Sequence, residues 1–188
     1  MEIKIEKTYI DDVYVLTPPV FTDARGFFME EYRSDVLRDH GINFTCVQEN
    51  HSGSVMGVLR GLHFQWEPPM AKLQRVTRGT AFLVAVDIRK DSPTLGNWFG
   101  VEVSAENRKQ LLTPAGFARG FLIISDYAEV QYKCSGSYNK EGESGILWND
   151  PVIGIDWPIA NPVLSEKDAK AQTLRDWLAR PESRNFQK

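Results

Sequence analysis

The segment Val58-Leu59-Arg60-Gly61-Leu62-His63-Phe64-Gln65 places an arginine and a histidine inside an apolar, strand-like run. Holding such groups there gives up hydration, which is unfavourable by kcal/mol unless a partner or a ligand compensates. The chain has three histidines, His40, His51 and His63, so a proton-handling site has few candidates. An imidazole titrates near neutrality, which suits a general base. The plainer alternative is a buried ring satisfied by a backbone carbonyl. Regular strand geometry sends Arg60 and His63 to opposite faces. For both to line one pocket the strand has to bulge or twist, and Gly61 is the natural place.

Three other residues could join such chemistry. Tyr132 shares strand parity with Val130 and Cys134, while Glu129, Gln131 and Lys133 take the other parity, so its phenol is expected inside. A buried phenol needs a hydrogen-bond partner, and it serves either as core or as a proton donor to a reacting carbon. Lys72 opens a strand after the Pro68-Pro69 loop. At a sheet edge it is solvated; pointing inward, its charge stabilises a developing oxyanion. Asp168 stands three residues after Ser165, which resembles a helix-capping arrangement. A second role, orienting a histidine, is not legible from spacing.

Arg25, Phe28, Glu30, Gln48, Asn50, Arg60 and Arg119 form a basic and aromatic set suited to an anionic, ring-bearing ligand. Arginine forks match phosphate oxygens. Taken singly, most of them also read as surface or turn residues. The chain has no glycine-rich phosphate loop, no G-x-G-x-x-G and no nucleophile elbow. Its histidines are isolated, without H-x-H, H-E-x-x-H or C-x-x-C spacing, so no metal site is expected.

The net charge of -3 argues against a nucleic-acid protein held by bulk electrostatics. Cys46 and Cys134 lie in apolar, strand-like runs and read as buried free thiols rather than a disulfide framework. No apolar run approaches a membrane span, and Met1 to Lys7 alternates charged and apolar residues without a secretory block. The cytoplasm is the expected compartment.

The elements that must position these groups are mostly strands. Met1–Thr8, Val13–Leu16, Phe27–Tyr32, Phe44–Asn50, Val58–Gln65, Lys72–Thr77, Thr80–Ile88, Phe99–Val103, Gln110–Thr113, Gly120–Ile124 and Glu129–Cys134 carry strand patterns. About ten short strands with frequent turns indicate a sandwich or barrel. Ser34–His40 reads as a helix with Ser34 as N-cap and Gly41 as its stop; Ser165–Ala171 and Thr173–Ala179 read as helices too. The tail from Pro181 is polar and expected to be loose. Without repeats or low-complexity linkers, residues 1–188 read as one domain.

Together these segments resemble the dTDP-4-dehydrorhamnose 3,5-epimerase family. The resemblance rests on D-A-R-G-F-F at 23–28, V-Q-E-N-H-S at 47–52, V-L-R-G-L-H-F-Q at 58–65 and V-A-V-D-I-R-K-D-S-P-T at 84–94. It continues through P-A-G-F-A-R-G-F at 114–121, Y-K-C at 132–134, I-L-W-N-D-P-V-I-G-I-D-W-P at 146–158 and L-S-E-K-D at 164–168. It covers about residues 5 to 171, and many unusual segments occur in the right order.

The resemblance implies a mainly β fold, a cupin-type jelly-roll barrel with a few short helices. It implies a homodimer without metal or other cofactor, acting on a nucleotide-diphosphate 4-keto-6-deoxy-sugar. His63 is then the base, Asp168 its imidazole partner, Lys72 the stabiliser of the enolate oxygen and Tyr132 the acid on the other face. Arg25 and Arg60 grip the diphosphate. Phe28, Glu30 and Tyr138 contact the nucleoside, and Gln48 and Asn50 place the ligand. An N-terminal segment crossing to the partner subunit is a further implication. Two positions depart from the family pattern: Leu83 stands where aspartate is usual, and Arg119 where histidine is usual. Losing a carboxylate and gaining a fixed charge makes the local field more positive, which lowers the pKa of Lys72 or His63, favours a more anionic substrate feature, or changes which carbons invert.

Overall fold

The structure, a computed structural model, describes residues 2–186. Two antiparallel sheets face each other. One has six strands in the order β1 (Lys4–Lys7), β2 (Tyr14–Thr17), β10 (Gln110–Thr113), β7 (Lys72–Arg78), β12 (Tyr127–Cys134) and β5 (Gln48–Val55). The other has five, in the order β13 (Glu143–Gly145), β6 (Leu59–Gln65), β11 (Phe117–Ile123), β8 (Thr80–Asp87) and β9 (Trp98–Ser104). A hairpin of β3 (Val20–Asp23) and β4 (Gly26–Met29) forms a sheet of its own. The architecture is mainly β, as the alternating sequence pattern requires, and cupin-like, as the family resemblance implies.

The alternation sorts side chains into three apolar clusters. Ala81, Leu83 and Ala85 from β8, with Phe117, Phe121 and Ile123 from its neighbour β11, meet Val76, Val130 and Leu111 from the opposite sheet. Leu59, Leu62, Phe64, Val84 and Val86 turn outward from the five-stranded sheet onto Trp177 of α3 (Leu174–Ala179). Leu16, Leu73 and Leu112 turn outward from the six-stranded sheet beneath Leu37 of α1 (Ser34–Asp39). The central strands β8 and β11 of the five-stranded sheet are therefore covered on both faces and are almost wholly buried.

Several expectations change. Among the described residues there are thirteen strands rather than about ten; β3 and β13 carried too little apolar alternation to be recognised. Phe44 belongs to a loop packed under α1, and β5 begins at Gln48 and runs on to Val55. Cys46 lies in that same loop and is only half-buried, so the buried-thiol reading holds for Cys134 alone. α1 starts after Arg33, with no side-chain cap from Ser34. Ser165 does cap α2 (Glu166–Ala169), and Thr173 forms a capping box with Asp176 ahead of α3.

The tail is not loose where it is described. Pro181–Phe186 forms a 3-10 turn, with Ser183 and Phe186 buried. Phe186 sits 6.0 Å from both Phe64 and Trp177, ring centre to ring centre. One aromatic side chain holds a segment whose composition otherwise reads as solvated. Residues 187 and 188 lie outside the described residues.

Candidate active site

The site forms at the end of the sandwich where polar residues replace the inward-facing core. β6 supplies it first. Its register against β11 pairs Arg119 with His63 but Phe121 with Arg60, so β6 carries one extra residue between them. Leu59, Leu62 and Phe64 all face the outer apolar cluster. The bulge at Gly61 thus returns Arg60 and His63 to the same inner side, as the sequence required for a shared pocket. Gly61 has φ +142°, and a Cβ there would lie 2.6 Å from Gly120 Cα. Only glycine permits this close passage of two strands.

His63 Nε2 lies 2.6 Å from Asp168 Oδ1. Asp168 is 4% exposed, and its second oxygen accepts from the Gly61 amide at 3.4 Å. Its own amide donates to Ser165 Oγ at 3.1 Å. Ser165 therefore caps the helix, while the Asp168 carboxylate is left for the imidazole. Burial raises the pKa of this carboxyl, but the hydrogen bonds from His63, Ser165 and Gly61 outweigh it and hold it below the ordinary aspartate value. An ionised Asp168 fixes the proton on Nε2 and leaves Nδ1 as the basic nitrogen.

The opposite wall comes from the six-stranded sheet. Lys72 is not on an edge: β7 lies between β10 and β12, and the side chain is partly buried with Nζ 4.9 Å from the centre of the Tyr132 ring. Burial, then the neighbouring Arg119 charge, lowers the Lys72 pKa to about 8, against smaller opposing effects of Cys134 and Glu143. Tyr132 points inward and packs on the inter-sheet core. Burial raises its pKa, aided by Cys134 and opposed by a hydrogen bond with Asn50 and the charge of Arg60, so the phenol stays protonated at neutral pH. Gln48 Nε2 donates to Asn50 Oδ1 at 3.0 Å, and the Tyr138 amide donates to Gln48 Oε1 at 2.8 Å. Arg60 Nε reaches Ser54 Oγ at 3.1 Å, joining the two sheets at their rim.

Arg119 is buried, at 3% exposure. Leu83, its diagonal neighbour through the Leu83–Phe121 and Ala85–Arg119 pairs, is fully buried in the inter-sheet core. Arg25, Phe28 and Glu30 stand apart. They lie on or just after the β3–β4 hairpin, exposed, with Arg25 bound to Asp23 at 2.6 Å and Glu30 3.7 Å from Arg33. The chain's own fold gathers His63, Asp168, Lys72, Tyr132, Gln48, Asn50, Arg60, Arg119 and Tyr138, but not these three.

Sequence reasoning missed Glu143 and Lys167. Glu143 accepts from Tyr138 Oη at 2.8 Å and from Lys167 Nζ. Burial raises its pKa, but the Lys167 and Tyr138 hydrogen bonds prevail and lower it. Glu143 follows a loop with no periodic pattern, so no local signal marks it. Lys167 was already inside L-S-E-K-D, one residue before Asp168. Among the described residues no group of three or more His, Cys, Asp or Glu side chains could hold a metal ion. Among the same residues no helix is long and apolar enough to cross a membrane.

The family model described as dTDP-4-dehydrorhamnose 3,5-epimerase matches residues 7–176. The chain belongs to the dTDP-4-dehydrorhamnose 3,5-epimerase family. A relative of that name from Methanothermobacter thermautotrophicus is 49% identical over 178 residues, covering 93% of this chain and 96% of the relative. The structure of the Legionella pneumophila 3,5-epimerase in complex with dTDP-4-keto-L-rhamnose aligns with TM-score 0.92 at 42% identity, covering 97% of each chain. A 3'-monoepimerase from Streptomyces bikiniensis in complex with dTDP-quinovose aligns with TM-score 0.85 at 35% identity, covering 90% of this chain and 87% of the other. The site brings together an imidazole, a phenol and an ammonium. These are the groups that carbon inversion next to a ketone needs.

Proposed function

We propose that this epimerase inverts nucleotide-diphosphate 4-keto-6-deoxy-sugars through an enolate, with His63 as base and Tyr132 as acid. The most fitting substrate is dTDP-4-dehydro-6-deoxy-D-glucose, converted to dTDP-4-dehydro-L-rhamnose. The observation that carries this reading is the placement of the two groups. His63 stands on one sheet and Tyr132 on the facing sheet, so a ring between them meets a base and an acid on opposite sides.

The ketone at C4 acidifies the hydrogens on C3 and C5. His63 Nδ1 takes one, and Asp168 stabilises the imidazolium that forms. Electrons move into the carbonyl, and the enolate oxygen is held by the Lys72 ammonium. Tyr132 then gives its proton to the carbon from the other face. Arg60 takes the diphosphate, Gln48 and Asn50 orient the ligand, and the exposed Tyr138 ring packs on the nucleoside base.

Arg25, Phe28 and Glu30 are assigned to the site of a second copy. Their hairpin exposes Phe21, Phe27 and Phe28, an apolar surface that water disfavours. The cleft beside His63 is lined by Arg60, Lys167 and Asp168 and takes none of the three hairpin residues from its own chain, so a second copy supplies them. The working form is accordingly a homodimer. Two free cysteines suit a cytoplasmic setting. The chain acts as one epimerase domain.

A second reading is inversion at C3 or C5 alone, on the dTDP sugar or a related CDP- or GDP-linked one. Leu83 and Arg119 alter the pocket's charge, and a monoepimerase is among the structures this chain resembles. One experiment separates the readings: incubation with dTDP-4-keto-6-deoxy-glucose in D₂O, followed by NMR. Deuterium at C3 and C5 supports double inversion, deuterium at one carbon supports the second reading on the dTDP sugar, and none at either overturns the dTDP sugar as substrate and points to another.

A further inference from the structure

Arg119 does something that the base, the acid and the oxyanion partner do not explain. It belongs to β11, where it pairs across from His63. Its side chain crosses to the facing sheet. Nε donates to Thr113 Oγ1, and Nη2 donates to the Met70 carbonyl at 2.6 Å and to the Pro114 carbonyl. Thr113 is the residue directly opposite Lys72 in the β10–β7 pairing, and Met70 is two residues ahead of Lys72. One guanidinium thus grips both pieces of backbone that frame Lys72, from a strand position that frames His63.

The same group carries an uncompensated charge. No carboxylate pairs with it among the described residues, and its Nη1 is buried without a hydrogen-bond partner. Burying a guanidinium this way is unfavourable unless its field is used. The diagonal neighbour that could have neutralised it is Leu83.

We propose that Arg119 is a positioning residue, which locks the Lys72 end of one sheet to the His63 strand of the other and governs the charge state of Lys72. This deepens the reading of the site as an enolate-forming pocket and rests on it. Lys72 is faced by Arg119 from β11, by Tyr132 and Cys134 from β12 and by Glu143 from β13. Of these, Arg119 is the like charge, and although burial lowers its own pKa to about 9 it keeps its proton at the Lys72 midpoint. Two cations in one pocket give a strong attraction for a transient oxyanion, and each makes the other easier to deprotonate. His63 and Lys72 come from different sheets, so a brace between those sheets also fixes the span over which base and ammonium work.

The test reads Lys72 directly and needs no substrate, so it stands or falls separately from the assigned reaction. The protein is labelled with ε-¹³C lysine, Lys72 is assigned by its loss in Lys72→Arg, and its signal is followed through a pH titration. In the parent protein its midpoint should lie near 8. In Arg119→Gln, which keeps a donor and removes the charge, the midpoint should rise by about one pH unit. In Arg119→Lys, which keeps the charge, it should move by no more than about 0.3. Arg119→His, neutral at pH 8, carries the same expectation as Gln if the Gln variant does not fold. An unmoved midpoint in a folded neutral variant overturns the proposal, as does an equal rise in Arg119→Lys. Turnover is the companion readout: its alkaline limb should move with the Lys72 midpoint, and kcat should fall about tenfold or more with little change in KM.

Discussion

His63 Nε2 and Asp168 Oδ1 lie 2.6 Å apart although 105 positions separate them in the chain. The carboxylate comes from a four-residue helix, while the imidazole, the proposed base, comes from a bulged strand. That contact determines which nitrogen is free, and hence which side of the imidazole meets the substrate.

Asp168→Asn should lower turnover by about 10²–10⁴-fold, because an amide no longer favours the productive tautomer or stabilises the imidazolium. His63→Ala should lose as much. Circular dichroism should show both variants folded. Near-normal turnover in either would remove the dyad from the mechanism. The parent carboxyl is held below its ordinary value, so its contribution to stability is complete above about pH 4. That contribution fades as acid protonates the folded form, and denaturant titrations of parent and Asn variant at pH 6 and pH 3 should converge on acidification.

Tyr132→Phe should slow inversion far more than solvent exchange of the acidic hydrogen. Abstraction by His63 survives without the phenol, whereas return from the opposite face does not. Deuterium incorporation measured beside product formation checks this. Equal losses in both would argue against a separate acid.

Activity should decline above pH 8 as the Lys72 ammonium loses its proton, since burial and Arg119 hold its pKa to about 8. Stability moves the other way. Between about 8 and the ordinary lysine value near 10.4, the unfolded chain keeps a proton that the folded chain has released, so folding becomes more favourable as pH rises. A kcat–pH profile and a thermal melting series over pH 7–10 should therefore diverge. Lys72→Met should abolish most turnover and remove this alkaline limb.

Gly61→Ala should destabilise the fold by about 1–3 kcal/mol. The backbone there has φ +142°, and the new methyl meets Gly120 backbone at 2.6 Å. Turnover should drop as well, because relieving the clash unseats the bulge that aims His63. Urea midpoints measure the first effect. A parent-like midpoint would show the bulge to be dispensable.

Local signals carried much of this protein. β10 appears with the bounds its pattern implied, and β6, β7, β8 and β12 are close to theirs. The inward parity of Tyr132 followed from strand alternation, and the need for a bulge at Gly61 followed from counting residues between Arg60 and His63. Where reading failed, packing had intervened. Phe44 looked like strand because it is apolar, yet its burial comes from α1. Phe186 sits in a polar tail and is buried against Phe64 and Trp177, a contact no local window contains. Glu143 joins the site through Lys167 and Tyr138, each distant or in a loop without period.

By itself the sequence determined the β-rich class, the candidate reactive groups and the family, because residue types and short-range alternation are local properties. Tertiary structure alone decided that Asp168 serves His63, that Lys72 lies inside rather than on an edge, and that Arg119 braces two sheets. It also set the β3–β4 hairpin, with Arg25 and Phe28, away from the rest of the site. Those outcomes depend on distances between strands far apart in the chain. Such distances are set by how two sheets close over a shared core, and no neighbouring residues encode them.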